Sequence, residues 1–180
     1  MDAVVVYESM FGNSERVARA VAEGLGERVA VTVVDVDAVD AAAQDALAGA
    51  DLVVAGGPTH AFGMTRPATR ADAVQRATGE VSHRTRGLRE WVESVPRQPQ
   101  ERLAATFDTR VTKVKPLPGS AARGAAKVLR HAGFRMVTPP ASFYVGDVEG
   151  PLGDGELDRA RTWGRGLADA LVPLAQAPHA

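Results

Sequence analysis

The chain has 180 residues, 21 basic against 22 acidic side chains, a formal net charge of -1, 45% hydrophobic residues and no cysteine. That length suits one domain with a full apolar core, and the even charge balance speaks against a nucleic-acid binder driven by bulk electrostatics. Absent cysteine excludes disulfides, thiolate nucleophiles, iron–sulfur clusters and cysteine-held zinc.

Ala3 to Tyr7 reads AVVVY, a β-branched run of the kind buried on both faces of a sheet. Asn13 to Gly26 follows helical spacing, with Val17, Val21 and Leu25 on one face. Val29 to Val36 is a second strand. Asp40 to Gly49 is alanine-rich and helical, closed by its glycine. Asp51 to Ala55 is a third strand, stopped by Gly56-Gly57-Pro58. Residues 57–83 carry no clean period, and Ala68 to Ala77 reads as a short helix within them. From Thr85 the helical stripe returns through Leu88, Trp91, Val92 and Val95, ending at Pro96. Leu103 to Phe107 is a fourth strand, Arg110 to Gly119 a loop, and Ala121 to Ala132 a helix closed by Gly133. Phe134 to Val145 is a fifth strand, at an edge or broken at Pro139-Pro140. A loop over 146–155 leads to a last helix, Glu156 to Leu171. One domain over 1–173 is expected, with a frayed tail over 174–180.

Five strand–helix alternations predict an α/β fold: a parallel sheet covered on both faces, with right-handed crossovers. No apolar run approaches a membrane span, and the start has no basic leader, so a cytoplasmic protein is expected. In such sheets ligands bind beyond the carboxyl ends of the strands, where strand order reverses. For a 2-1-3-4-5 order that point lies between strands one and three. Three loops of unusual composition then matter: 8–14, 56–63 and 108–120.

The first holds Ser9, Met10, Phe11, Gly12, Asn13 and Ser14 at the mouth of a helix. The first amides of a helix lack internal partners and, with the dipole, attract an anion. The same residue types also serve as a plain N-cap. Here a resemblance becomes specific. Val4 to Ser14 resembles the phosphate-binding segment of flavodoxins, especially that of the flavodoxin domains of flavodiiron-type proteins. Of the family pattern Ser/Thr-x-Thr-Gly-x-Thr, Ser9, Gly12, Asn13 and Ser14 match, while Phe11 replaces a hydroxyl residue. The resemblance implies a flavodoxin-like three-layer sandwich with a five-stranded parallel sheet and flavin mononucleotide (FMN) as cofactor.

The second loop, Gly56 to Gly63, resembles the family's loop after strand three, close to Gly-x-Pro-Thr-aromatic. Pro58, Thr59, His60, Phe62 and Gly63 are thereby implied in flavin contact, His60 standing where the family places a flanking aromatic. His60 as a surface histidine and Phe62 as loop packing are the alternatives. The third loop begins at Asp108, Thr109 and Arg110, and the resemblance places it around the pyrimidine side of the ring. It lacks Trp and Tyr and is basic through Arg110, Lys113 and Lys115. A cation near the flavin N1–O2 edge would favour the reduced anion; the alternative is that these charges face solvent.

The stretch 64–86, with Arg66, Arg70, Arg76, Arg84 and Arg86, is the least family-like. A solvated loop is the favoured reading, a lid or partner surface the alternative. Trp91 and Trp163 fall with the core, and the four histidines show no metal spacing. No G-x-G-x-x-G, G-x-x-x-x-G-K-[ST] or G-x-S-x-G motif is present. The expected function is an FMN-binding redox protein that carries electrons or reduces a small acceptor, with enzymatic oxidoreductase activity left open. Its redox partner is unidentified. The alternative is a degenerate flavodoxin-like domain without flavin, acting as a binding or regulatory module.

Overall fold

The computed structural model describes residues 1–82, 85–114 and 118–175. The calls on His83, Arg84, Lys115 and His179 lie outside these residues, as does most of the tail. The strands are β1 (Asp2–Tyr7), β2 (Ala30–Asp35), β3 (Leu52–His60), β4 (Gly63–Met64), β5 (Arg102–Val111), β6 (Phe134–Met136) and β7 (Ala141–Val145). The helices are α1 (Asn13–Leu25), α2 (Ala41–Gly49), α3 (Pro67–Arg76), α4 (Leu88–Ser94), α5 (Ala121–His131) and α6 (Glu156–Ala175). The sheet order is β2-β1-β3-β5-β6, with β7 also on β5 and every pairing parallel except β3 with β4.

The expected order therefore holds, but the sheet has seven strands rather than five. The hairpin partner β4 adds one of them, and a break in the fifth strand adds the other. The fifth strand is split at Pro139-Pro140: β6 pairs with the start of β5, Arg102↔Phe134, and β7 with its end, Val111↔Val145. Proline gives no ladder donor, so the break falls where the backbone cannot pair. The third strand, in turn, does not stop at Ala55. It continues through Gly56-Gly57-Pro58 in register with β5, Gly56↔Phe107 to Pro58↔Thr109. A β-carbon at Gly56 would fall on the Phe107 ring, so the glycine here serves close packing within a strand. The last helix also runs past Pro173 to Ala175, beyond the expected end at Leu171.

Two apolar layers sandwich the sheet. Val5, Tyr7, Leu52, Val54 and Phe107 face α1 and α6, while Val4, Val6, Val53, Ala55 and Ala104 face α2, α4 and α5. Trp91 lies in the second layer, and Trp163 packs edge-on against Phe107 and Phe143 in the first. Both tryptophans are core residues, as expected.

The β3–β4 hairpin turns on Ala61 and Phe62, with φ of 46° and 64°. Two-residue hairpin turns with positive φ at both positions favour Asn-Gly, because a β-carbon costs roughly 1–2 kcal/mol per residue in this region. Ala61→Asn combined with Phe62→Gly is expected to stabilise the protein by about 1 kcal/mol, after the added flexibility of the unfolded chain is subtracted. A urea titration checks this; an unchanged or lower midpoint would mean that other contacts hold the turn.

Candidate functional site

At the carboxyl edge of the sheet, next to the β1–β3 switch point, lies a cavity of about 410 Å³. That is within the size range of small-molecule sites. All three singled-out loops reach it. Ser9, Met10, Phe11, Asn13 and Ser14 line it from the β1–α1 turn. Pro58, Thr59 and His60 line it from the end of β3, and Thr109 and Arg110 from the end of β5. Phe11 is half-buried in the wall and leaves the cavity open.

The four remaining expected residues take other places. Gly12 is the N-cap of α1, at φ 78°. Phe62 is 54% exposed on the hairpin tip, and Gly63 pairs with His60 in the ladder. Asp108 is fully buried beneath the site, where it accepts hydrogen bonds from the Thr59 hydroxyl (3.0 Å) and the Ala122 amide (3.0 Å). It braces the end of β3 and the start of α5 rather than lining the cavity.

The α1 terminus differs from those of α2 and α5 in a way that bears on ligand choice. Asp40 caps α2 through the Ala43 amide, and Ser120 caps α5 through the Arg123 amide. No side chain caps α1, and a β-carbon at Gly12 would meet nothing within 4 Å. The first amides of α1 thus open on the cavity beside the Ser9 and Ser14 hydroxyls, a donor set suited to an anion. Ser14 Oγ lies 2.7 Å from Thr109 Oγ1, which ties the turn to β5.

Several wall residues escaped the sequence reading. Thr69, Asp72, Ala73, Arg76 and Ala77 line the cavity from α3 and its end, so this part of the 64–86 stretch is a wall rather than a solvated loop. Its signal was position: it directly follows β3 at the carboxyl edge. Val111, Val145, Val148 and Glu149 line it from β5, β7 and the following loop, and Ala61 from the hairpin turn. The Glu149 carboxylate accepts hydrogen bonds from the Thr78 amide (2.8 Å) and the Gly79 amide (3.1 Å), while Asn13 Nδ2 donates to the Glu149 carbonyl (3.0 Å). The Ser82 amide donates to the Met10 carbonyl (2.9 Å). These bonds clasp the residues after α3 to the α1 turn.

Glu8 anchors the same region from below. Fully buried, it accepts from the Thr65 hydroxyl (2.7 Å) and from the Leu88 amide (2.7 Å), the first of α4. Arg70, also buried, donates to Thr65 and to Glu90. Burial pushes the Glu8 carboxyl above its ordinary range; the Leu88 and Thr65 hydrogen bonds and the nearby Arg70 oppose this incompletely. The native state therefore holds a proton that the unfolded chain releases near the ordinary carboxylate value of about 4.3. Stability from this group is fully present below that value and falls as pH rises through the higher native one. Relative to Glu8→Gln, the wild type is expected to lose stability over that window. Urea midpoints in a pH series check it; a gap independent of pH would show that Glu8 titrates alike in both states. His60 is likewise shifted by burial, downward, against a hydrogen bond with the Thr69 backbone, so its ring is neutral at pH 7.

A family model described as Flavodoxin matches residues 5–114. Among solved structures, a flavodoxin from the domain Archaea is 22% identical with a TM-score of 0.66, covering 96% of this chain and 99% of that one. Oxidised Flavodoxin 2 from Bacillus cereus is 16% identical with a TM-score of 0.63, covering 97% and 99%. A flavodiiron core from Synechocystis sp. is 20% identical with a TM-score of 0.63, covering 97% of this chain but 36% of its own. No curated protein matches. Among the described residues, no helix is long and apolar enough to cross a membrane.

Proposed function

Because the chain belongs to the flavodoxin family, we propose that it binds FMN in the cavity at the carboxyl edge and serves as a redox protein, carrying electrons or passing them to a small acceptor. The observation that carries this reading is the uncapped α1 terminus opening on a cavity lined by all three candidate loops. The phosphate would be held by the α1 amides with Ser9 and Ser14. The ring would lie along Pro58, Thr59 and His60, facing the end of β5. His60, neutral and half-buried, offers a flat face without a charge. When bound, the flavin supplies the redox chemistry; the protein orients it and sets its surroundings. Exchange of electrons with a soluble partner is a matter for the exposed rim, where Phe62 and Val148 are two of the three exposed large hydrophobics among the described residues.

The test is a titration of FMN fluorescence with the purified protein. One-to-one quenching is expected. Fluorescence unchanged at micromolar protein would sink the reading and leave a flavin-free binding module in its place.

A further inference from the structure

A buried titratable side chain stands directly behind the proposed phosphate site. Glu8 is fully buried and immediately precedes Ser9, the first residue of the cavity-lining turn. Its amide donates to the Gly56 carbonyl (2.9 Å), which ties the turn to β3. Its carboxylate lies in a closed cluster formed with Thr65, α3 and α4. The Thr65 hydroxyl and the Leu88 amide donate to it, each at 2.7 Å. The charged groups acting on it are Arg70 of α3 and Glu90 of α4. Arg70 is ion-paired with Glu90 at 3.1 Å and donates to the Thr65 hydroxyl at 3.0 Å, so Glu8 shares that cation with a second carboxylate. Arg89 donates to the Thr65 and Met64 carbonyls and pairs with Glu93, while His60, which also feels Arg70, is neutral at pH 7. A β-carbon at Gly87 would fall on Arg70 Nη1 and 3.0 Å from Glu8 Oε2, so the Gly87 backbone closes the cluster on the α4 side.

We propose that Glu8 couples FMN binding to protons: the site takes the anionic phosphate best with a neutral Glu8, and binding to the charged form draws one proton onto its carboxylate. This rests on the FMN reading above. With Glu8 protonated, the Glu8–Arg70–Glu90 cluster is neutral; with Glu8 ionised, it holds one buried negative charge. Four steps of chain, at most about 14 Å, separate the Glu8 backbone from Gly12 at the α1 terminus. Over that distance a carboxylate and a phosphate repel through protein, which screens far less than water. The bound phosphate therefore raises the affinity of Glu8 for a proton, and by reciprocity a proton on Glu8 raises the affinity for the phosphate. Burial already holds this carboxyl above its ordinary range, against its hydrogen bonds and Arg70. FMN affinity is then full below the value at which Glu8 titrates in the free protein. It falls as pH rises through that value, until the higher value of the FMN-bound protein is passed. Each ionised Glu8 that meets FMN in this interval takes one proton from solvent and forms one O–H bond.

The experiment follows the Glu8 carboxyl carbon by NMR in isotope-labelled wild type, free, saturated with FMN and saturated with riboflavin, through a pH series from about 4 to about 8.5. FMN is expected to raise the Glu8 midpoint by about one pH unit, and riboflavin, which has no phosphate, to leave it in place. Fluorescence titrations supply a second reading, with Glu8→Gln as a form that cannot ionise. Its amide keeps an acceptor for the Leu88 N–H and a donor for the Thr65 hydroxyl. The ratio of FMN affinities, wild type over Glu8→Gln, should fall about tenfold across the series; the ligand's own ionisation cancels in that ratio. Equal Glu8 midpoints in free and FMN-bound wild type would overturn the proposal, even if the glutamine variant does not fold. So would a free-protein Glu8 that keeps one proton state throughout, a shift of the same size with riboflavin, or an affinity ratio independent of pH. A wild type that binds no FMN at any pH would instead refute the proposed function itself.

Discussion

Gly164→Ala is expected to unfold at a much lower urea concentration than the wild type, with a loss of about 3 kcal/mol. A β-carbon at Gly164 would fall on the Val21 carbonyl of α1, and one at Gly24 on the Arg161 carbonyl of α6. The two glycines face each other's helices, and each lets a backbone approach where no side chain fits. Neither carbonyl belongs to a flexible side chain, so the strain can relax only by parting α1 from α6. That would open the layer holding Val17, Val21, Leu167 and Leu171. Gly166 is the control. It is exposed on the same helix, with nothing within 4 Å of a built β-carbon. Gly166→Ala should stabilise by up to about 1 kcal/mol, the ordinary helix preference. If both substitutions moved the midpoint alike, close packing at Gly164 would be refuted.

Ser14→Asp is expected to weaken FMN binding about 100-fold. Ser14 is the second residue of α1, buried at the helix mouth. An aspartate there interacts favourably with the helix dipole, which offsets part of the cost of burying the charge and losing the Thr109 contact. The same charge stands against the ligand's phosphate. At 4 Å, two unit charges repel by about 1 kcal/mol in bulk water and about 4 kcal/mol near a protein surface. About 2.8 kcal/mol, the middle of that interval, corresponds to 100-fold. Riboflavin, which has no phosphate, should bind wild type and variant alike. Fluorescence titrations with both ligands read the result. Equal losses for FMN and riboflavin would place the damage at the ring, and no loss for either would remove the phosphate from α1.

The part of the site legible in the sequence was the part built from local backbone. Ser9 to Ser14 could be placed because a strand followed by small polar residues and a helix leaves unpaired amides wherever it occurs. Pro58, Thr59 and His60 followed from the loop after the third strand. The α3 wall was harder to see, since Thr69, Asp72 and Ala73 form no motif. They become wall residues only when the β3–β4 hairpin turns the chain back and the Glu8–Thr65 contact pins it there. Glu149 was invisible for a similar reason: its carboxylate meets amides some 70 positions away. Phe62, singled out for flavin contact, points outward because a two-residue turn with positive φ projects it from the hairpin tip.

The sequence by itself determined the alternation of strand and helix, the sheet order by family pattern, and the anion-suited start of α1. Each is written in spacing and in local hydrogen-bonding chemistry, which need no distant partner. The tertiary structure decided what lies across a gap of many residues. It extended β3 through two glycines because β5 was there to pair with them. It made Gly24 and Gly164 a matched contact, and it buried Arg110 in the cavity wall while leaving Arg76 in solvent. Burial and close approach are properties of two segments at once, and a pattern along one segment carries no record of the other.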